Sequence, residues 1–424
     1  MTGAELYALA ARLFPIPRSI TGDGVRQSLA ILAEQIALDI HEIPTGTPVF
    51  DWTVPREWRL REAHITAPDG RRIADAAGHN LQLLNYSAPF RGRVGLEELK
   101  RHLFTLPAQP DLIPYRTSYY REQWGFCLPH RLVENLPAGE YEVVVDTDLF
   151  DGSLTYGELA LAGESAEEVL LSTHCCHPSL ANDNLSGMVV ATALAAHLAA
   201  RQRRRLSYRF LFLPGTIGAI TWLATNRERP ANIGHTLVLA GLGAPGPFHY
   251  KKSRNGDAPI DREVRRALAR RGESLEVEAF VPFGYDERQF NSPGIGLEAG
   301  CFSRTPYGRY PEYHTSADNL DLIRPETLAG SVECLLAVVD GLESRECFRN
   351  LSPECEPQLG RRGLYRLIGG DDAGRERELA ILWMLNLGDG THSLEDIAER
   401  SGIASESLRE ATAALVSAVL LAPV

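Results

Sequence analysis

VLLSTHCCHPSLANDNLSG, residues 169–187, opens as a β-rich apolar run and stops at a loop that carries His174, Cys175, Cys176, His177 and Asp183. A helix is expected to begin near Asn184 to Leu185. Imidazole and carboxylate groups at the carboxyl end of a strand are what a zinc site with an open coordination position requires. The plainer reading of this loop is that Asp183 caps the helix and the histidines pack as neutral core residues.

Outward from this loop, residues 168–342 alternate short β-rich runs with helical patterns. EVLLSTHC (168–175) precedes a helical pattern over 184–202, YRFLFLP (208–214) precedes one over 216–228, and HTLVLAG (235–241) follows. The alternation resumes with a helix over 260–272, a strand EAFVPF (278–283), GIGLEAG (294–300) and a long helix over 324–344. Such alternation implies an α/β fold, a mostly parallel sheet with helices on both faces, in which ligands bind beyond the carboxyl ends of the strands. Residues 1–45 read as two helices covering the sheet. Between 48 and 135, proline, tryptophan and tyrosine become frequent and short alternating segments appear, which predicts an inserted β-rich lobe. Beyond the Pro/Gly linker LSPECEPQLG (351–360), three helical patterns punctuated by Gly390 and Gly402 predict a C-terminal winged helix-turn-helix. Thr391 to Glu395 there resembles an N-cap followed by acidic first-turn residues. The expected division is 1–47 with 136–350 as the α/β domain, 48–135 as the lobe, and 360–424 as the winged helix.

A second polar loop, TPYGRYPEYHTSADNLDLIRPE (305–326), also falls after a strand and before a long helix, and it presents His314. Thr315 and Asp318 have capping-box spacing, expected to fix the backbone around that histidine. Two loops bearing His and Asp on the same edge of one sheet are less easily a coincidence than either alone.

Composition narrows the function. The 424 residues carry a net charge of −12, so nucleic acid is not an expected partner, because phosphate binding draws on Lys and Arg. A small-molecule or peptide-like substrate fits better. No apolar stretch is long enough for a membrane span, and the N-terminus reads as an amphipathic helix rather than a signal peptide, so a cytoplasmic location is expected. The seven cysteines include no C-x-x-C pair and read as reduced thiols.

At these motifs the chain resembles the two-zinc aminopeptidases. ANDNLSG (181–187) looks like their bridging-aspartate motif, YHTSADNL (313–320) resembles the turn carrying their last histidine ligand, and GYDERQFNSPGIG (284–296) resembles a segment lining their active site. Together with RSITGDG (18–24), DWTVPREW (51–58), SYYREQWGFC (118–127) and PGTIGAI (214–220), these motifs are similar to a bacterial family of aminopeptidase-like proteins with a small inserted domain and a C-terminal winged helix. The resemblance covers nearly the whole chain and is far more specific for fold than for substrate.

The departures from the two-zinc pattern shape the expected chemistry. The family's Glu-Glu pair is replaced by Pro214, Gly215 and Thr216, and its later aspartate ligand by Leu242, Gly243 and Ala244. What remains suits one zinc per chain, held by His177, Asp183 and His314, with His174 as an alternative ligand or a support for one. A new base must then take the proton from water; Glu312 is the first candidate, followed by Asp286 and Glu287. Arg18 and Arg309 could bind a substrate carboxylate, although structural ion pairs are as good an explanation. Tyr119, Tyr120, Trp124 and Phe126 read first as the lobe's own core. The expected activity is cleavage of an amide bond by a metallo-aminopeptidase or amide hydrolase. The alternative is a metal-binding protein that has lost peptidase chemistry. The tail, acidic and with Arg409 as the one basic residue of its last helix, is expected to contact a protein partner or a second copy of the chain rather than DNA.

Overall fold

The computed structural model describes residues 1–364 and 372–424; of the range 360–424 expected for the winged helix, 365–371 lie outside the described residues. The chain divides into two compact units, residues 1–337 and 338–424. The first is built on an eight-stranded sheet of β1 (Asp39–Pro44), β2 (Ser153–Leu161), β3 (Glu168–His174), β4 (Ser207–Leu213), β5 (Ile233–Leu239), β6 (Phe248–Lys251), β7 (Leu275–Glu278) and β8 (Ala299–Ser303). Its spatial order is β1-β2-β4-β3-β5-β8-β6-β7. The central strands β4, β3, β5 and β8 are parallel, while β1, β2 and β6 pair antiparallel at the flanks. β3 and β4 are buried almost throughout, which is why they read as continuous apolar runs rather than alternating ones.

Helices Gly3–Leu13 and Asp23–Ala33 pack on this unit, the first against helix Gly187–Ala199 and the second against β2. Helix Gly187–Ala199 is apolar all round and buried on almost every side, as a helix under a sheet must be when others cover it. The expected strand over 278–283 is instead β7, Leu275–Glu278, and residues 279–283 run on as loop. Their exposed Val281 and Phe283 belong to no ladder, so the apolar run VPF marks a rim and not a strand.

The lobe carries a four-stranded antiparallel sheet in the order Arg72–Asp75, Glu57–Thr66, Glu140–Phe150, Phe90–Gly95. Its inner face is formed by Ala63, Ile65, Tyr141, Val143 and Val145. Phe126 is buried and Trp124 stacks on His102 and Phe90, as lobe core. Tyr120 is half exposed, against Trp52.

The second unit has helices Asp372–Leu387, Leu394–Ser401 and Ser405–Ser417 and a three-stranded sheet of Cys347–Asn350, Asp389–Ser393 and Leu421–Pro423. Ile381, Met384, Ile397, Leu408 and Leu415 fill its core. The strand Cys347–Asn350 precedes the Pro/Gly linker yet pairs with strands beyond it, so this sheet begins ahead of residue 360. The N-cap of helix Leu394–Ser401 is Ser393, reciprocated by Asp396, rather than Thr391, which lies in the strand before it. Asp396 also holds the buried Arg345 at 3.1 Å. Deleting residues from 346 onward is expected to leave a folded first unit that still binds zinc. Circular dichroism and elemental analysis check this, and a soluble truncated chain without zinc would contradict it.

Candidate metal centre

The site forms at the carboxyl edge of the parallel strands. His174 ends β3 and pairs in register with Leu213 at the end of β4, so the loop at Pro214 and Gly215 starts beside it. Beyond His174 the chain turns through 181–186 as a wide helical turn before helix Gly187–Ala199 begins. This turn presents the buried Asp183 to three imidazoles. His174 Nε2 lies 2.9 Å from Asp183 Oδ1 and His177 Nδ1 lies 4.0 Å from the same oxygen. His314 Nε2 lies 3.0 Å from Oδ2.

The asparagines of ANDN hold this turn in place. Asn182 Oδ1 accepts from the backbone N–H groups of Gly243 and Ala244, and Asn184 Oδ1 accepts from that of Gly241. The loop where a two-zinc enzyme carries an aspartate is thus committed to bracing the Asp183 turn. From the other side, the Asp318 carboxylate accepts from the backbone N–H of Asn182 at 2.6 Å and of Asp183 at 3.0 Å. Asp318 is therefore not half of a capping box with Thr315. The next helix starts only at Pro325, and the amides that need an acceptor are those of the Asp183 turn.

His314 has φ 54, a left-handed conformation uncommon outside glycine. The lobe holds it there: Tyr115 N–H donates to His314 O at 2.7 Å, and Ser316 N–H donates to Ile113 O at 2.8 Å. The Tyr115 ring then stands edge-on to both His177 and His314, 5.0 Å from each. Sequence reasoning missed Tyr115, since nothing in its neighbourhood announces contact with residues as distant in sequence as His177 and His314. It also missed Tyr285, whose hydroxyl donates to Asp183 Oδ2 at 2.9 Å and lies 2.6 Å from the Tyr313 hydroxyl. Tyr285 and Tyr313 sit next to residues that the motifs singled out, Asp286 and His314, and adjacency was the only signal.

The electrostatics suit a cation. Burial holds the His177 imidazole well below its usual range, hence neutral with a free lone pair. Burial also opposes charge on Asp183, but the His177, His174 and His314 imidazoles around it outweigh that and keep its carboxyl well below the usual carboxylate range. His177 Nδ1 is buried with no hydrogen-bond partner among the described residues, 4.0 Å from Asp183 Oδ1, while His314 Nε2 reaches Oδ2 at 3.0 Å. Imidazole nitrogens converging on one buried carboxylate fit a shared metal ion. His174, His177 and Asp183 offer ligand atoms within 4.8 Å of one another.

The three candidate bases differ in surroundings. Glu287 is fully buried and spoken for, ion-paired to Lys251 and accepting from the Tyr285 N–H at 3.1 Å. Glu312 is half-buried, and its main-chain carbonyl accepts from Thr315. Asp286 is fully buried, with neither oxygen hydrogen-bonded among the described residues. Burial pushes it up to about 7, against the pull of His174. A Cβ built on Gly215 would stand 3.0 Å from His174 Cβ and 3.6 Å from Asp286 Oδ1. The Asp286 carboxylate therefore borders the space into which a glutamate at position 215 would project.

A pocket of about 410 Å³ opens from Asp183 past Tyr285, Tyr313, Tyr310 and Tyr307 to Phe283 and Arg309. Arg309 is ion-paired with Glu278 at its wall. Arg18 does not line it; buried completely, it donates to the main-chain carbonyl of His177 at 3.0 Å and so positions the loop instead of a substrate.

Residues 7–345 match the family described as a domain of unknown function, DUF4910, and residues 346–423 match a winged helix-turn-helix family. The chain belongs to the DUF4910 family. A Clostridium acetobutylicum relative, named as a proposed polysaccharide biosynthesis protein with an aminopeptidase-like domain, is 46% identical over 420 residues, covering 99% of this chain and 96% of that one. A crystal structure of a proposed peptidase from Clostridium acetobutylicum superposes with a TM-score of 0.83 at 45% identity, over 100% of this chain and 96% of that one. BSAP, a zinc aminopeptidase from Bacillus subtilis, superposes with a TM-score of 0.59 at 15% identity, over 80% of this chain and 94% of that one. The DUF4910 fold of this chain is thus the aminopeptidase-like α/β fold, followed by a winged helix. No helix among the described residues is long and apolar enough to cross a membrane.

Proposed function

We propose that the chain is a zinc-dependent hydrolase of the aminopeptidase type, cleaving an amide bond in a small or peptide-like substrate, with one zinc held by His177, Asp183 and His314. The observation that carries this reading is the convergence of His177 Nδ1 and His314 Nε2 on the buried carboxylate of Asp183, which itself lines a substrate-sized pocket. Bound there, zinc would supply Lewis-acid polarisation of the scissile carbonyl and would make water easier to deprotonate. His174 and Tyr285 hold the Asp183 carboxylate from either side. Asp286, which borders Gly215 without lining the pocket itself, would take the proton from the attacking water as that water reaches the Gly215 side of the site and return it to the leaving nitrogen as the C–N bond breaks, giving a carboxylic acid and an amine. In favour of Asp286 over Glu312 and Glu287 are its unpaired oxygens and its place beside Gly215, where the two-zinc pattern has glutamate.

A panel of amides offered to the zinc-loaded full chain tests the activity. Zinc-dependent release of amine from at least one of them is expected. No release from any, with zinc bound, would favour the alternative of a metal-binding protein without peptidase chemistry, a reading motivated by the replaced glutamate pair. For the winged helix we propose a protein partner or a second copy of the chain. Arg409, the basic residue of helix Ser405–Ser417, is ion-paired with Glu346 and lies 3.9 Å from Glu395, leaving little cationic surface for phosphates. Mobility-shift assays at physiological salt are expected to show no tight duplex binding, and a specific salt-resistant complex would overturn that assignment.

A further inference from the structure

The pocket beside Asp183 carries an ammonium group of its own. Lys251 projects from β6 into the wall and is ion-paired with the buried Glu287, while its Nζ also donates to Phe283 O at 2.8 Å and to the Tyr307 hydroxyl at 3.1 Å. Burial works against the Lys251 charge, yet Glu287 outweighs it and keeps the ammonium above its ordinary value. The backbone is shaped around this pair. A Cβ on Gly284 would stand 1.9 Å from Glu287 Oε1 and 2.7 Å from Lys251 Nζ, so only glycine leaves room for it. A buried ion pair is a poor source of stability, because desolving two charges offsets their attraction.

The remaining charges on the wall are also paired. Arg309 neutralises Glu278, His249 faces Glu276 at 3.4 Å, and both oxygens of Asp183 are occupied by His174, His314 and Tyr285. Asp286, whose oxygens are unpaired, does not line this pocket. An incoming substrate therefore meets no carboxylate free to receive an ammonium group, and it meets Lys251 already seated where one would bind. What the wall does offer is the phenol faces and edges of Tyr307, Tyr310 and Tyr313, surfaces for an uncharged, partly apolar group.

We propose that Lys251, locked onto Glu287 in the pocket wall, excludes substrates with a free amino terminus and selects a neutral amide whose amine is blocked by an acyl group. This rests on the reading of the pocket as the substrate site. Discrimination arises by leaving a competing cation without a carboxylate partner, because Glu287 is already held by Lys251.

Binding of leucinamide and N-acetyl-leucinamide to the full chain, measured by calorimetry at neutral pH, tests the proposal without requiring turnover. The acetylated amide is expected to bind at least about tenfold more tightly. Equal or tighter binding of leucinamide overturns the proposal, as does binding of neither compound. Lys251→Met alone strands the Glu287 charge and could unfold the wall, so the informative variant is Lys251→Met combined with Glu287→Gln, which removes both charges. Its preference is expected to shrink to within about threefold. A folded double variant that keeps the parent's preference overturns the role of Lys251. Failure of the hydrolase reading looks different: the acetylated amide is preferred but neither compound is cleaved. Cleavage of leucinamide by the parent would keep that reading and overturn this one.

Discussion

Asp183→Asn is expected to lower zinc affinity by about 100-fold or more while leaving the fold intact, which makes it the most damaging conservative change available in the site. Both Asp183 oxygens are engaged, one by His174 and one by Tyr285 and the approaching His314, so the carboxylate is the hub that the other groups share. Asparagine keeps the size and can still bond to one neighbour, but it presents one neutral oxygen where a cation requires charge. The backbone turn should survive, because it is braced through Asn182, Asn184 and Asp318 rather than through the Asp183 side chain. Elemental analysis after dialysis, alongside a thermal melt, separates the two effects. A folded variant that retains the parent's zinc would show that the metal sits elsewhere.

Asp286→Asn is expected to retain zinc and fold and to lower turnover by about 100-fold or more on any amide the parent cleaves, the scale associated with loss of a general base. The substitution is nearly isosteric, and neither oxygen of Asp286 is hydrogen-bonded among the described residues, so little structural cost should accompany it. Removing a carboxylate that burial disfavours could even stabilise the chain slightly. Lost activity with intact zinc and an unchanged or raised melting temperature would therefore isolate the chemical role. Unchanged turnover would move the proton-accepting role to Glu312. Glu287 is the weaker successor because its charge already holds Lys251.

The sheet was legible because its central strands are buried on both faces and so read as uninterrupted apolar runs between helical patterns. The loops bearing His174, His177, Asp183 and His314 were legible because polar, metal-compatible residues break those runs at one edge. What escaped sequence reasoning were contacts with no local signature. Asp318, three residues after Thr315, has the spacing of a cap, and only the fold reveals that its acceptor capacity goes to the amides of Asn182 and Asp183. The Lys251–Glu287 pair spans 36 positions and two elements that never adjoin in sequence. The strand Cys347–Asn350 follows a long helix directly and precedes the linker, so it read as the end of the α/β domain, although its pairing partners lie near the C-terminus. Tyr115 belongs to the lobe, yet its N–H donates to the carbonyl of His314, a long-range pairing that no periodicity encodes.

The most direct test of a single metal centre around Asp183 is the zinc content of the full chain, purified without chelator, measured beside that of His314→Ala. The prediction is close to one zinc per chain for the parent and almost none for the variant, which should remain folded because a core of this size does not depend on one metal. Two zinc ions per chain in the parent, none at all, or undiminished zinc in His314→Ala would contradict it.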